Sequence, residues 1–100
     1  MACVVGIAAM TCEAAPKTIA YLCEGGGKLV VTYEVGERRD MAKVEYGKRR
    51  WWMTQMAVAS GARYVDGPGK MEWWSKGPEG FLTDLKTQKT IPCKETIQPR

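Results

Sequence analysis

Histidine is missing altogether from the 100 residues, and phenylalanine occurs once. Without imidazole there is no Ser-His-Asp triad, no Cys-His pair and no histidine-bearing metal site. Carboxylates or a lysine could still move protons, but the usual general base is gone. That turns the reading away from an enzyme. The four cysteines, at 3, 12, 23 and 93, show no Cys-x-x-Cys spacing, so tetrahedral zinc has no framework either. Long apolar runs are scarce: Cys3 to Met10 is far too short to cross a bilayer. Repeats, linkers and low-complexity tracts are also lacking.

What remains is 45% hydrophobic and 26% charged, the balance of one small globular domain. Fifteen Lys+Arg against eleven Asp+Glu give a net charge of +4, which allows an anionic partner without naming one. Cys3 to Met10 has the length of a signal-peptide core, and Cys12-Glu13-Ala14 precedes a candidate cut. Nothing basic comes before Lys17. Residues 1–15 therefore read as a remnant or degenerate export signal, and 16–100 as the domain. Cys12 is a candidate for lipidation, although Ala9-Met10-Thr11 departs from the usual Leu-small-small pattern. An ordinary first strand or tail is the competing reading. If Cys3 and Cys12 belong to a leader, Cys23 and Cys93 are left near the two ends of the domain. A bridge between them would close a loop of roughly 70 residues and contribute roughly 4 kcal/mol in the chain-entropy model. Two separate buried thiols are the alternative. Disulfides persist outside the cytosol, so a bridge and a leader would agree on export.

From Ile19 onward the apolar residues recur with period two, interrupted by glycine. Strands are expected at Ile19–Cys23, Leu29–Val35, Met41–Tyr46, Trp51–Val58, Arg63–Val65, Met71–Ser75, Phe81–Asp84 and Lys89–Cys93. No helical period is sustained. Some eight short antiparallel strands fit a sandwich or a small barrel; the barrel is preferred because it leaves no exposed edge. The pairs Trp51-Trp52 and Trp73-Trp74 each place one ring inward and one outward in a strand.

Three stretches share an order with a known family. They are Tyr21-Leu22-Cys23 with Gly25, Ser60-Gly61-Ala62-Arg63-Tyr64-Val65-Asp66-Gly67, and Trp74-Ser75-Lys76-Gly77, followed by Cys93. Together they resemble the bacterial inhibitors of c-type lysozyme, in their membrane-bound (MliC) and periplasmic (PliC) forms, over roughly residues 19–95. The resemblance implies an eight-stranded antiparallel barrel with a Cys23–Cys93 disulfide, no catalysis and no cofactor. It implies that Ser60 and Lys76 enter the lysozyme cleft and meet its two catalytic carboxyl groups. Tyr64 would hold the serine loop, with Gly61, Gly67 and Gly77 shaping the turns. The expected place is the periplasm, with the chain free, anchored at the outer membrane through an N-terminal lipid, or secreted. Evasion of host lysozyme is the role this implies, with c-type lysozyme rather than nucleic acid as partner.

Read alone, Ser60-Gly61 and Lys76-Gly77 are ordinary solvated turns, and Arg63 is a side chain whose stem covers the barrel. The chemistry nevertheless suits the implied task. A retaining glycosidase holds two carboxyl groups about 5 Å apart. An ammonium group is a compact cation with three donors that can bridge them. Charge is the departure: c-type lysozymes are usually basic, as is this chain. Asp66, Glu72 and Glu79 could supply a local negative rim. The run Lys48-Arg49-Arg50-Trp51-Trp52 invites a second reading, an exported basic and aromatic module for an anionic polymer such as a glycan, lipopolysaccharide or nucleic acid.

Overall fold

The structure, a computed structural model, describes residues 16–36 and 38–96. Eight strands follow in chain order: β1 Lys17–Cys23, β2 Lys28–Glu34, β3 Met41–Tyr46, β4 Arg49–Met56, β5 Ala62–Asp66, β6 Met71–Lys76, β7 Glu79–Asp84 and β8 Lys89–Glu95. Each pairs antiparallel with the next, and β8 returns to β1, closing the barrel. The expected fold class stands. Turns alternate between two ends. The β2–β3, β4–β5 and β6–β7 connections share the upper end, and the other four share the lower end.

Period-two patterning fills this barrel. Leu29 and Val31, Ala42 and Val44, and Met71 and Trp73 point inward and are buried, while their neighbours in sequence are more exposed. Register then stacks the inward residues into rows. Ile19, Val31, Val44 and Trp51 form one row; Tyr64, Trp73, Leu82 and Ile91 form another. Trp73 is the largest buried side chain and is 0% exposed. Its ring covers Gly80, where a Cβ would stand 2.2 Å from the ring, so only glycine fits there. Tyr21 and Trp73 meet edge to face, with centroids 4.8 Å apart. Trp73 Nε1 donates to the Tyr33 hydroxyl at 2.9 Å, and the Tyr33 and Tyr21 hydroxyls share a 3.0 Å bond. The polar tips carried into the core are thus satisfied there, as burial demands.

Cys23 and Cys93 are bonded, with an S–S distance of 2.04 Å. They face each other across the β1–β8 seam, which has only three register pairs, fewer than any other junction. The staple therefore sits where the ladder is shortest. The export signal expected over residues 1–15, with Cys3 and a lipid on Cys12, lies outside the described residues.

Most strand boundaries shift by one or two residues from expectation, and β4 moves at both ends. β4 starts at Arg49 and stops at Met56, because Gly47-Lys48 makes a two-residue turn and brings Arg49 opposite Tyr46. Val58 is consequently in the loop. Val35 also falls beyond its strand and is 69% exposed. Among the tryptophans, Trp51 packs against the core while Trp52 is exposed, and Trp73 is buried with Trp74 on the outer wall.

Burial holds the core phenols neutral. It is the main cause that pushes Tyr21 up, aided by the bond to Tyr33, and it pushes Tyr64 up to about 12. An unfolded tyrosine ionises near about 10. The folded values are raised, so this stability is fully present below about pH 10 and is lost as pH climbs through the folded values. The expected outcome is a urea midpoint that falls steeply between about pH 10 and pH 12. Tyr64→Phe should flatten that fall, measured by tryptophan emission across the pH series.

Candidate functional site

The Ser60 and Lys76 turns are sixteen positions apart in sequence, yet β5–β6 pairing makes them neighbours. Ala62 faces Ser75 in register, so the residues just before β5 lie alongside the end of β6. Two contacts fix the closeness. Trp74 Nε1 donates to the Ser60 carbonyl at 3.0 Å. Gly61 lies so near β6 that a Cβ would stand 2.5 Å from the Ser75 carbonyl and 2.8 Å from Lys76 Cγ. Its φ of +72° is in the left-handed region, the second reason for glycine at this place. The Ser60 side chain is left at the exposed tip.

Lys76 closes β6 and is exposed. Gly77, with φ +57°, and Pro78 form the two-residue link to β7, the residue pattern of a II′ hairpin. The ammonium stands 5.8 Å from the Trp74 ring centroid, within cation–π range. No carboxylate pairs with it among the described residues. A shallow groove opens beside it on the outer wall, lined by Trp74, Phe81, Thr83 and Gln88. The arrangement is a protruding cation with a hydroxyl-bearing turn beside it, both held on one tryptophan.

The remaining named residues are less closely gathered. Tyr64 is buried inside the barrel on β5, its ring 5.6 Å from that of Tyr33. Gly67 is in the lower β5–β6 turn with open space around it, and the left-handed position there falls on Gly69. That turn belongs to the opposite end from Ser60 and Lys76. The expected acidic rim is mostly committed elsewhere. Glu72 is bound to the Arg63 guanidinium, and Asp66 Oδ1 accepts backbone N–H bonds from Lys70 and Met71. Glu79 alone of the three is exposed, opposite Lys76. Trp74 was the residue that sequence reasoning undervalued. Its outward parity was legible; its bond to the Ser60 carbonyl depends on register and was not.

The family model for the membrane-bound lysozyme inhibitor of c-type lysozyme, MliC, matches residues 21–91. The chain belongs to the MliC family. A membrane-bound lysozyme inhibitor of C-type lysozyme from Cupriavidus necator is 36% identical over 85 residues. That alignment covers 84% of this chain and 66% of the relative, so the chain spans about two thirds of that protein's length. Among solved structures, Pseudomonas aeruginosa MliC, crystallised in complex with hen egg white lysozyme, superposes with a TM-score of 0.70 at 28% identity. The match covers 96% of this chain and 99% of that one. The barrel of this MliC-family chain thus has a solved counterpart.

Gly61 and Gly67 make a matched pair for testing the local geometry. Gly61→Ala puts a methyl group against β6 in a left-handed conformation, which costs about 1–2 kcal/mol before the clash is counted. A melting temperature lower by roughly 4–8 °C or more is expected by differential scanning calorimetry. Gly67→Ala, in open space, should stay within about 0.5 kcal/mol of the parent.

Proposed function

We propose that this chain is a protein inhibitor of c-type lysozyme that occupies the enzyme's active-site cleft with the Ser60 and Lys76 turns. The observation that carries this reading is the β5–β6 register, which sets a hydroxyl-bearing turn beside an ammonium group free of any described carboxylate. Family membership and the fold shared with an MliC seen on lysozyme support it. The protein works in the cell envelope, on the periplasmic side, either free or held by an N-terminal lipid. It performs no chemistry; it excludes substrate.

In the cleft, Lys76 Nζ would donate to both catalytic carboxyl groups, which a retaining enzyme holds about 5 Å apart. One such ion pair at 4 Å is worth about 4 kcal/mol at an effective dielectric of 20, less the cost of drying both partners. Ser60 Oγ would add a directional bond from the neighbouring turn. The cation–π contact with Trp74 limits the rotamers open to Lys76 before binding, which lowers the ordering cost. Tyr64 supports the turn indirectly, by anchoring β5 in the core, while Gly61 permits the close approach to β6 and Gly77 the left-handed turn.

Lys76→Ala would leave two carboxyl groups facing each other without their cation. The inhibitor Kd is expected to rise about thirtyfold or more, and with Ser60→Ala about fivefold. The lysozyme acid ionises near about pH 6, and its negative charge forms as pH rises through that value. Parent inhibitor should therefore bind more tightly at about pH 7 than at about pH 5, and Lys76→Ala should lose that difference. Calorimetric titration of parent and variants of equal thermal stability is the measurement. Equal affinities at pH 7 would leave Lys76 a surface turn residue.

A further inference from the structure

The positive charge is unevenly placed, and its placement carries a second binding face. Six basic residues flank the four lower turns: Lys28, Lys48, Arg49, Lys70, Lys86 and Lys89. All six are exposed, and none forms an ion pair among the described residues. Three carboxylates share this end, Glu24, Asp66 and Asp84. Two of them are already bound within their own turns. Asp66 Oδ1 accepts the N–H groups of Lys70 and Met71, and Asp84 Oδ1 those of Lys86 and Thr87. At the upper end, by contrast, Glu34, Asp40, Glu79 and Glu95 are interspersed among the cations.

We propose that the lower end of the barrel docks on an anionic lipid surface, with headgroup phosphates as its counter-charges. This is a contact of the folded barrel, separate from any attachment through residue 12. Two features favour a surface over a linear polyanion. The cations belong to four different turns at one mouth of the barrel rather than to a track along one strand. Between those turns lies a recess with Arg49, Thr87 and Lys89 at its rim and Met71, Leu82 and Ile91 as its floor. A cationic rim over an apolar floor matches an amphiphilic headgroup better than a fully hydrated polymer. Asp84 also lines this recess and keeps its negative charge, held in its own turn by the Lys86 and Thr87 N–H groups, so this end sets six cations against three carboxylates. Arg49 is steadied there, its guanidinium 4.7 Å from the Trp51 ring.

Each basic residue near an anionic leaflet is worth about a fivefold change in partition, and the effect decays within a Debye length. The full chain is therefore mixed with vesicles of phosphatidylcholine containing roughly one-third phosphatidylglycerol, or of phosphatidylcholine alone, and bound protein is measured by sedimentation. Binding to the anionic vesicles alone is expected, falling about tenfold or more between about 50 and 300 mM salt. Replacing Lys48, Arg49, Lys86 and Lys89 together by Gln should weaken it at least tenfold. The charge-matched upper-end change of Lys17, Arg38, Arg39 and Lys94 to Gln should weaken it no more than about twofold. If the lower-end variant does not fold, Lys48→Gln with Arg49→Gln alone is read, with at least a fivefold loss expected. Equal losses in both charge-matched variants would reduce the effect to net charge and overturn the docking face. Equal binding to neutral vesicles would replace it with apolar or lipid-anchored attachment. Retention on heparin without vesicle binding would move the face to a linear polyanion. Lysozyme inhibition by the lower-end variant should match the parent, so the two readings fail separately.

Discussion

Trp73 is the side chain on which the architecture turns. An eight-stranded barrel encloses just enough space for side chains to fill, and a void there would forfeit the contacts of every residue lining it. Trp73 supplies the bulk, Gly80 yields the room beside it, and Tyr33 accepts its N–H. That inward commitment fixes the parity of the whole strand. With residue 73 inside, Trp74 must stand outside and can reach the Ser60 carbonyl, and β6 then delivers Lys76 to the upper end. Core, clamp and cation are thus three consecutive consequences of one strand's pleat. The strand is also held from both sides, by Arg63 bound to Glu72 across β5 and by the β6–β7 hairpin.

Strand identity was legible because period two and glycine are local signals. Leu29, Val31, Met71 and Trp73 declare their faces without reference to anything distant. Boundaries were less so: Gly47 marked the turn, but the charged Lys48-Arg49-Arg50 read as loop although Arg49 and Arg50 open β4, and the apolar Val58 suggested a longer strand than pairing permits. The disulfide was foreseeable as a pair near the two ends of the domain, but its placement at a three-pair seam was a matter of register. Register also decided the site. Ser60 and Lys76 were singled out by motif, while the bond from Trp74 and the approach of Gly61 to Ser75 are long-range facts that no short window contains. The acidic rim is reduced for a related reason: Glu72 is paired with Arg63 and Asp66 lies in the opposite turn, which leaves Glu79 exposed opposite Lys76.

Net charge was the main objection to a basic lysozyme as partner, and the distribution of that charge answers it. Strands of five to eight residues rise about 3.3 Å per residue, so even when tilted they separate the two ends by well over 10 Å. The Debye length at physiological ionic strength is about 8 Å. A partner approaching Ser60 and Lys76 therefore meets an end where carboxylates and cations are mixed, while the unpaired cations of the lower turns are screened behind the barrel. The unequal ends follow from chain order alone. Odd-to-even connections all fall below and even-to-odd connections above, so a sequence that places Lys28, Lys48, Lys70 and Lys86 after odd strands sorts its charge by topology. A single +4 describes neither end, and the electrostatics of this fold must be reckoned turn by turn.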